Sequence, residues 1–248
     1  ELNHGACNAY YTSGTINFFV GDGSLCNNSG RIADVIMHEL GHGIHQYILA
    51  AGTFAGDISE GSSDYVAATI NDDYALAPEF YIGYPWLREL ETDKVYPGDY
   101  TGEVHNDGLI WGSFLWNLRE RWSDAYGVDA GVEMTDLLFL GALEQGPTLT
   151  DAYEAVILAD DDDGDLSNGT PHACELLDLL DQHGLGPGPI GVMIYDHTPL
   201  EEQPSSAASY PVDFELYALS DACGDLDMDS VQLWYSLDPM GLPGAAED

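Results

Sequence analysis

The pattern of apolar and polar positions divides the chain into a long helical part and a shorter strand-like part. In residues 8–20, apolar and polar positions alternate in two runs separated by Ser13-Gly14, which predicts a β-hairpin. Apolar residues at helical spacing then predict helices over residues 30–51, 57–70, 103–121, 128–145, 149–158 and 172–183. A linker rich in Gly and Pro at 184–189 precedes strand-like runs at 192–195, 212–219 and 231–235.

These elements predict an α+β fold in two parts. We expect a mainly helical domain over residues 1–185, in which the hairpin forms an edge, and a small β-sandwich-like segment over residues 186–248. The sequence has no run of about 20 apolar residues that would predict a membrane span. The first four residues, ELNH, do not resemble the start of a signal peptide, so we expect a mature or trimmed product.

The composition is strongly acidic. Lys and Arg total 5 against 44 Asp and Glu, which gives a net charge of −39. Such a surface repels nucleic acid and anionic membranes, and we exclude both as partners. We expect a secreted protein of a marine or halophilic microbe, in which dissolved salt screens the self-repulsion. The alternative is that the charge only keeps an extracellular enzyme soluble.

The four cysteines indicate disulfides rather than a cysteine-ligated metal, because none of them forms a CxxC pair. Cys7 and Cys26 bracket the predicted hairpin, and a bridge between them would staple that edge. Cys174 and Cys223 would then join the helical part to the C-terminal segment. Two separate thiols are the alternative for this second pair.

Residues 35–43 read VIMHELGHG and contain the HExxH spacing of a zinc-binding helix. On a helix, His38 and His42 lie one turn apart on one face, so both imidazoles can reach a single ion, with Glu39 beside them. His45 lies three residues past His42. We predict core packing or solvent exposure for His45 rather than ligation.

A catalytic zinc needs a third protein ligand and one position left to water. One known arrangement requires Gly and then His after the second histidine, but His45 and Ile48 occupy those positions. The other takes a Glu from the next helix, and Glu60 lies 18 residues beyond His42. Asp64, one turn later, can orient a ligand imidazole through its second ring nitrogen.

These motifs resemble the gluzincin metallopeptidases, and HELGH followed by EGSSD is most similar to the fungalysin branch of the thermolysin-like enzymes. Residues 7–11 (CNAYY) and 18–23 (FFVGDG) resemble the edge strand and turn that precede their zinc helix. Residues 104–108 (VHNDG), with Trp111, resemble the segment of their second catalytic histidine. The resemblance covers residues 8 to about 120 and implies a zincin-type fold, with much of the β-rich N-terminal half of such enzymes absent.

The resemblance also implies roles for individual residues. Glu39 would be the general base, and His105 would donate a hydrogen bond to the oxyanion. Asn8 and Ala9 would bind an extended peptide as an added strand. Arg88 would bind a substrate carbonyl, with a structural ion pair as the alternative.

Two further expectations concern the neighbours of these groups. We expect Asp107 to hold the second ring nitrogen of His105, because it is close in sequence. Thermolysin-like enzymes also place a tyrosine between the zinc histidines and the third ligand, as a second oxyanion donor. The equivalent position falls near Thr53-Phe54, so that donor is missing or replaced, and Tyr47 is too close to the helix to substitute for it.

Residues 160–171 (DDDDGDLSNGTP) alternate carboxylates about a glycine turn, which resembles a calcium loop. We expect Asp161, Asp163 and Asp165 to be calcium ligands. The closing Glu of an EF-hand is absent, and a solvated acidic loop is the alternative reading.

Together these features predict a secreted, monomeric zinc endopeptidase, with zinc and calcium as cofactors and peptides or proteins as substrates. Two alternatives remain open. One is a non-catalytic extracellular module that binds calcium and a structural zinc. The other is an exopeptidase on the same scaffold.

Overall fold

Three long helices form the centre of the molecule: α1 (Ala33–Ile48), α2 (Gly56–Asn71) and α3 (Val104–Tyr126). Helix α2 lies between α1 and α3 and packs closely against both. Ten of its residues are buried, including several serines and one aspartate. Neighbouring helices cover two flanks of α2, so its buried residues do not form a single apolar stripe.

This computed structural model describes residues 7–49, 52, 54–166 and 169–186, together with the backbone of residues 193–197 and 214–218. Within those residues the fold is α+β and mostly helical, as the hydrophobic pattern predicts. No helix in the described part of the chain is both long enough and apolar enough to cross a membrane.

Three further helices complete the core: α4 (Val128–Glu144), α5 (Ala152–Asp160) and α6 (Ala173–Gln182). The core side chains include Trp111, Phe114 and Trp122 of α3, each no more than 1% exposed. Burying an aromatic side chain of this size stabilises the fold by roughly 1.5–3 kcal/mol. Helix α3 is therefore anchored through these aromatic side chains in the core that it shares with α2, α4, α5 and α6.

The predicted hairpin is confirmed. Strands β1 (Ala9–Thr12) and β2 (Thr15–Phe18) pair antiparallel around Ser13 and Gly14, which have φ values of 47° and 82°. Positive φ at both central residues matches the right-handed twist of a two-residue hairpin. The predicted disulfide between Cys7 and Cys26 is present and ties the start of the hairpin to the loop that follows it.

Several helix ends differ from prediction; α5, for example, begins at Ala152 instead of residue 149. Residues Ser29–Arg31 form a short 3-10 turn capped by the Asn28 side chain, so α1 begins at Ala33 instead of residue 30. Helix α3 continues past residue 121 to Tyr126, because no helix-breaking residue occurs before Gly127.

The remaining strands are short. Strands β3 (Ala75–Leu76) and β4 (Arg88–Glu89) pair antiparallel and fix the position of Arg88. Strands β5 (Met193–His197) and β6 (Phe214–Ala218) form a separate antiparallel pair in the region of two predicted strands. The predicted strand at 231–235 lies outside the described residues, as does Cys223; Cys174 is disulfide-bonded.

Candidate metal centre

Two imidazoles and one carboxylate from neighbouring helices converge at the junction of α1 and α2. The potential ligand atoms of His38, His42 and Glu60 all lie within 4.8 Å of one another. His38 Nε2 is 3.2 Å from Glu60 Oε2, and His42 Nε2 is 3.6 Å from Glu60 Oε1. The sequence-predicted ligand set is therefore brought together in space.

Each histidine is oriented through its other ring nitrogen by a residue of α2. His38 Nδ1 lies 2.8 Å from Asp64 Oδ1, and His42 Nδ1 lies 2.8 Å from Ser59 Oγ. The Nε2 atoms consequently face Glu60. Asp64 was predicted in this position, whereas Ser59 was missed. No spacing in the sequence marks Ser59, because the contacts between two helices depend on how they are rotated against each other.

Asp64 is itself held by Arg88. The Nε and Nη2 atoms of Arg88 donate hydrogen bonds of 2.6 and 2.7 Å to the two carboxylate oxygens of Asp64. The same Nη2 atom lies 4.0 Å from Glu60 Oε2. Arg88 thus forms the structural ion pair considered above, at the edge of the site. A role in binding substrate stays a prediction.

The two histidines of the site differ sharply in pKa. Burial alone would lower the pKa of His38, but the Asp64 carboxylate outweighs burial and raises that pKa to about 9. Burial, reinforced by the charge of His38, lowers the pKa of His42 to about 4. Burial opposes ionisation of Asp64, yet Arg88 and His38 hold its pKa well below the usual range.

Glu39 lies in α1 beside this group and is only 4% exposed. Burial raises the pKa of its carboxyl to about 7, while the charge of His38 acts in the opposite direction. Its Oε2 atom is buried and has no hydrogen-bond partner among the described residues. A carboxyl group with a pKa near neutrality can both take and release a proton under ordinary conditions.

His105, in the first turn of α3, lies on the open side of the site. Its Nε2 atom is 3.4 Å from Glu60 Oε2, and its ring is about half exposed. Its Nδ1 atom lies 2.7 Å from Oε1 of Glu103, the residue that also caps α3. Glu103 therefore holds the Nδ1 edge of the ring, and Nε2 points toward the candidate metal ligands of α1 and α2.

The prediction that Asp107 holds His105 is wrong. Asp107 is 1% exposed and accepts hydrogen bonds from the amides of Thr101 and Gly102 and from the Thr101 hydroxyl. Residues two apart on a helix are rotated by about 200° from each other, so the two side chains point apart. Glu103 takes the expected place, from the N-cap position.

His45 does not join the metal group. It is fully buried and stacks on Phe54, with ring centroids 4.4 Å apart and planes inclined by 20°. The core interpretation of His45 is therefore confirmed. Tyr47 is 75% exposed near the hairpin turn, where its hydroxyl approaches Gly14. Thr53 lies outside the described residues.

The acidic loop after α5 brings together Asp161, Asp162 and Asp163, whose oxygens lie within 4.8 Å of one another. Asp162 was not among the predicted ligands, and Asp165 is not part of this group. The Asp161 side chain also accepts hydrogen bonds from the amides of Asp163 and Gly164, which closes the turn.

Asn8 and Ala9 lie at the start of the hairpin. Asn8 is exposed, and its carbonyl accepts a hydrogen bond of 2.9 Å from Ser29 Oγ. Ala9 is partly buried and pairs with Phe18 of β2. A role for either residue in binding substrate stays a prediction.

The residues at the junction of α1 and α2 fit a divalent metal ion. Glu60 Oε2 is buried and makes no hydrogen bond of acceptable geometry, although two imidazoles and a guanidinium lie within 4.0 Å of it. A buried carboxylate oxygen without a partner destabilises the fold unless a cation binds to it. Two imidazole nitrogens and one carboxylate form the donor set of catalytic zinc sites.

Comparison with models of protein families finds none that matches this chain, and comparison with curated proteins finds no significant match. Assignment of a function therefore depends on the motifs and on the geometry of the site.

Proposed function

We propose that the protein is a secreted zinc-dependent endopeptidase on a zincin-type fold. The observation that carries this proposal is the convergence of His38, His42 and Glu60 beside the buried carboxyl of Glu39. A site of two histidines and one glutamate leaves further coordination positions open to solvent and substrate.

His38, His42 and Glu60 would hold the zinc ion. When bound, the ion would polarise the scissile carbonyl and lower the pKa of a coordinated water. Glu39 would take a proton from the attacking water as its oxygen bonds to the carbonyl carbon. Glu39 would then give that proton to the leaving nitrogen as the C–N bond breaks, which restores the carboxylate.

His105 would stabilise the negative charge that develops on the carbonyl oxygen. Glu103 fixes the ring through Nδ1, so a proton on Nε2 would point toward the reacting group. Removing one such pre-aimed donor in comparable sites costs about 3 kcal/mol of transition-state stabilisation. Asn8 and Ala9 would bind the substrate as an added strand beside the hairpin, and Arg88 would bind its carbonyl.

A non-catalytic module with a structural zinc is the main competitor. A structural site fills all four positions with protein ligands, and only three residues converge in the described part of the chain. A buried carboxyl with a raised pKa at Glu39 also has no use in a structural site. These two observations favour the enzyme. An exopeptidase on the same scaffold differs only in where it cuts.

Cleavage of an unfolded protein by the zinc-loaded chain, with mass-spectrometric mapping of the cut sites, tests the proposal. Internal cuts that disappear with a chelator and return with zinc are expected. Cuts confined to chain ends would indicate an exopeptidase instead. Glu39→Gln should keep its zinc and lose hydrolysis; equal turnover by this variant and the parent would remove Glu39 from the mechanism.

We further propose calcium at the acidic loop, held by Asp161, Asp162 and Asp163, because hard cations prefer several carboxylate oxygens on a tight turn. Millimolar CaCl₂ should then raise the melting temperature of the parent but not of Asp161→Asn. Equal shifts in the two proteins would contradict a specific site. We also propose that residues 186–248 form a β-sandwich-like appendage and that the protein acts as a monomer on peptide or protein substrates.

A further inference from the structure

Helices α1 and α2 approach each other closely beside the candidate metal ligands. A Cβ atom built on Gly41 would lie 2.5 Å from the Cα of Ser63, well inside the contact distance that real side chains tolerate. Gly41 directly precedes His42, and Ser63 lies one turn after Glu60. Backbone is the obstacle here, so no side-chain rotation can relieve the overlap.

Helices α2 and α3 make a second close approach on the opposite flank of α2. A Cβ on Gly61 would lie 2.2 Å from the carbonyl oxygen of Gly108. A Cβ on Gly108 would lie 2.7 Å from the Gly61 nitrogen and 3.0 Å from the Cβ of Glu60. Gly61 follows Glu60 directly, and Gly108 lies one turn after His105.

We infer that Gly41, Gly61 and Gly108 are positioning residues, which set the separations of α1, α2 and α3 at the site. The α1–α2 contact sets how close His38 and His42 come to Glu60. The α2–α3 contact sets how close His105 comes to Glu60. This inference rests on the proposed function, because it assigns the glycines to the assembly of the metal site and its oxyanion donor.

The size of the effect follows from the distances. Optimal contact between carbon atoms needs about 3.5–4.0 Å, so a methyl group at Gly41 would move α1 and α2 apart by about 1 Å. Functional side chains must be held within about 0.5 Å of their productive geometry. A displacement of about 1 Å can cost on the order of 100-fold in rate. One added carbon would therefore exceed the tolerance of the site.

The two contacts should fail in different ways. Moving α1 from α2 separates the two histidines from Glu60 and acts on metal affinity. Moving α3 from α2 shifts His105, which is not a metal ligand, and acts on turnover. A general loss of packing would not distinguish the two.

Gly131 offers a matched control. It lies in the first turn of α4, and a Cβ there would be 2.2 Å from the nitrogen of Ser123, near the far end of α3. The overlap is as severe as that at Gly61, and it also involves backbone. Gly131→Ala should destabilise the fold without changing the metal site.

The experiment compares Gly41→Ala, Gly108→Ala and Gly131→Ala with the parent. Zinc affinity is measured by competition with a chromophoric chelator, ligand geometry by the visible absorption of the Co²⁺-substituted protein, and catalysis by separate kcat and KM values. Melting temperatures are recorded for each variant after the metal has been stripped.

Gly41→Ala should weaken zinc binding by about 10–100-fold and alter the Co²⁺ spectrum, as loss of ligand-orienting contacts does in other metal sites. Gly108→Ala should bind zinc within about threefold of the parent, but its kcat should fall by on the order of 100-fold with little change in KM. Gly131→Ala should show only the lower melting temperature.

Parent-like zinc binding by Gly41→Ala together with parent-like kcat for Gly108→Ala would overturn the inference. Equal losses of zinc affinity in Gly41→Ala and Gly131→Ala would overturn it as well. If Gly41→Ala does not fold, Gly108→Ala decides the question, and if Gly108→Ala does not fold, Gly112→Ala replaces it. Its Cβ would meet the end of the Leu90 side chain at 2.9 Å and the Gly61 oxygen at 3.0 Å, a milder wedge between α2 and α3. A kcat like that of the parent in Gly112→Ala would then reject the inference.

Failure of the proposed function has a different signature, because it appears in the parent itself. A parent that binds zinc and cleaves nothing would refute the peptidase, while zinc affinity and the Co²⁺ spectrum would still decide the role of Gly41.

Discussion

The Nδ1 atom of His38 lies 2.8 Å from the Oδ1 atom of Asp64, a carboxylate that is 2% exposed and also accepts two hydrogen bonds from Arg88. A buried charge of this kind interacts strongly with its neighbours because little water screens it. The result is a pKa of about 9 for His38, against about 4 for His42 one turn away. The two proposed zinc ligands therefore differ in what must happen before they can bind a metal.

Zinc uptake should release about one proton at pH 8, since only a neutral imidazole can bind the ion and His38 is the ligand still protonated there. The apparent zinc affinity should rise about tenfold per pH unit below pH 9 and level off above it. Calorimetry of the chelator-stripped protein, in buffers of different ionisation enthalpy, counts the protons. Asp64→Asn should release fewer, because it removes the charge that raises the pKa; proton-free binding by the parent at pH 8 would contradict this account.

Glu103→Ala should lower kcat by roughly 10–100-fold and leave zinc affinity unchanged, because it frees the His105 ring from its orienting carboxylate. Steady-state kinetics and chelator competition measure the two quantities. Glu103→Gln is the matched variant, since its side-chain oxygen can still accept the hydrogen bond, and it should retain most of the activity. Asp107→Asn should instead affect mainly stability. A larger loss of kcat in Asp107→Asn than in Glu103→Ala would show that Asp107, and not Glu103, orients the His105 ring.

His45→Phe should make stability less sensitive to acid. Burial lowers the pKa of His45 from 6.5 to about 4, so the unfolded chain binds a proton there that the folded chain does not. Stability is free of this penalty above pH 6.5 and loses up to about 3 kcal/mol as pH falls to 4. Urea unfolding of both proteins at pH 7.5 and pH 5 isolates the effect, because every other titrating group is common to them. Equal pH dependence in the two would show that His45 is not the group responsible.

Potassium chloride should raise both the melting temperature and the activity between 0.1 and 1 M, because the screening length falls from about 10 Å to about 3 Å over that range. The net charge of −39 makes self-repulsion unusually large. Thermal unfolding and peptide turnover are measured across the series, with sucrose at matched osmolality as the control for excluded volume. A flat response to salt would mean that the acidic surface serves solubility alone.

Local patterns were sufficient for much of the fold. The Ser13-Gly14 turn between two alternating runs predicted the hairpin, because few residue pairs accept the required positive φ. Helix ends were harder. Gly127, with a φ of 94°, ends α3 and was the signal that a prediction ending at residue 121 overlooked.

The candidate site shows where sequence reasoning stops. Helical periodicity places His38 beside His42 on one face, and Glu60 one turn before Asp64, without any knowledge of packing. Contacts between elements depend on how helices are rotated against each other, which spacing does not reveal. Ser59 was missed for this reason. Glu103 and Asp107 are each two residues from His105, so nearness in sequence could not decide which of them holds its ring.

Helix α2 supplies Glu60, Ser59 and Asp64 from the segment that is most enclosed by its neighbours. The residues that form the proposed metal site therefore lie on a helix that cannot separate from its neighbours without disrupting the core. Ten of the 16 residues of α2 are buried, so its amides should be among the slowest to exchange with deuterated water. Global unfolding would therefore abolish the metal site, whereas fraying at the ends of the chain would leave it assembled.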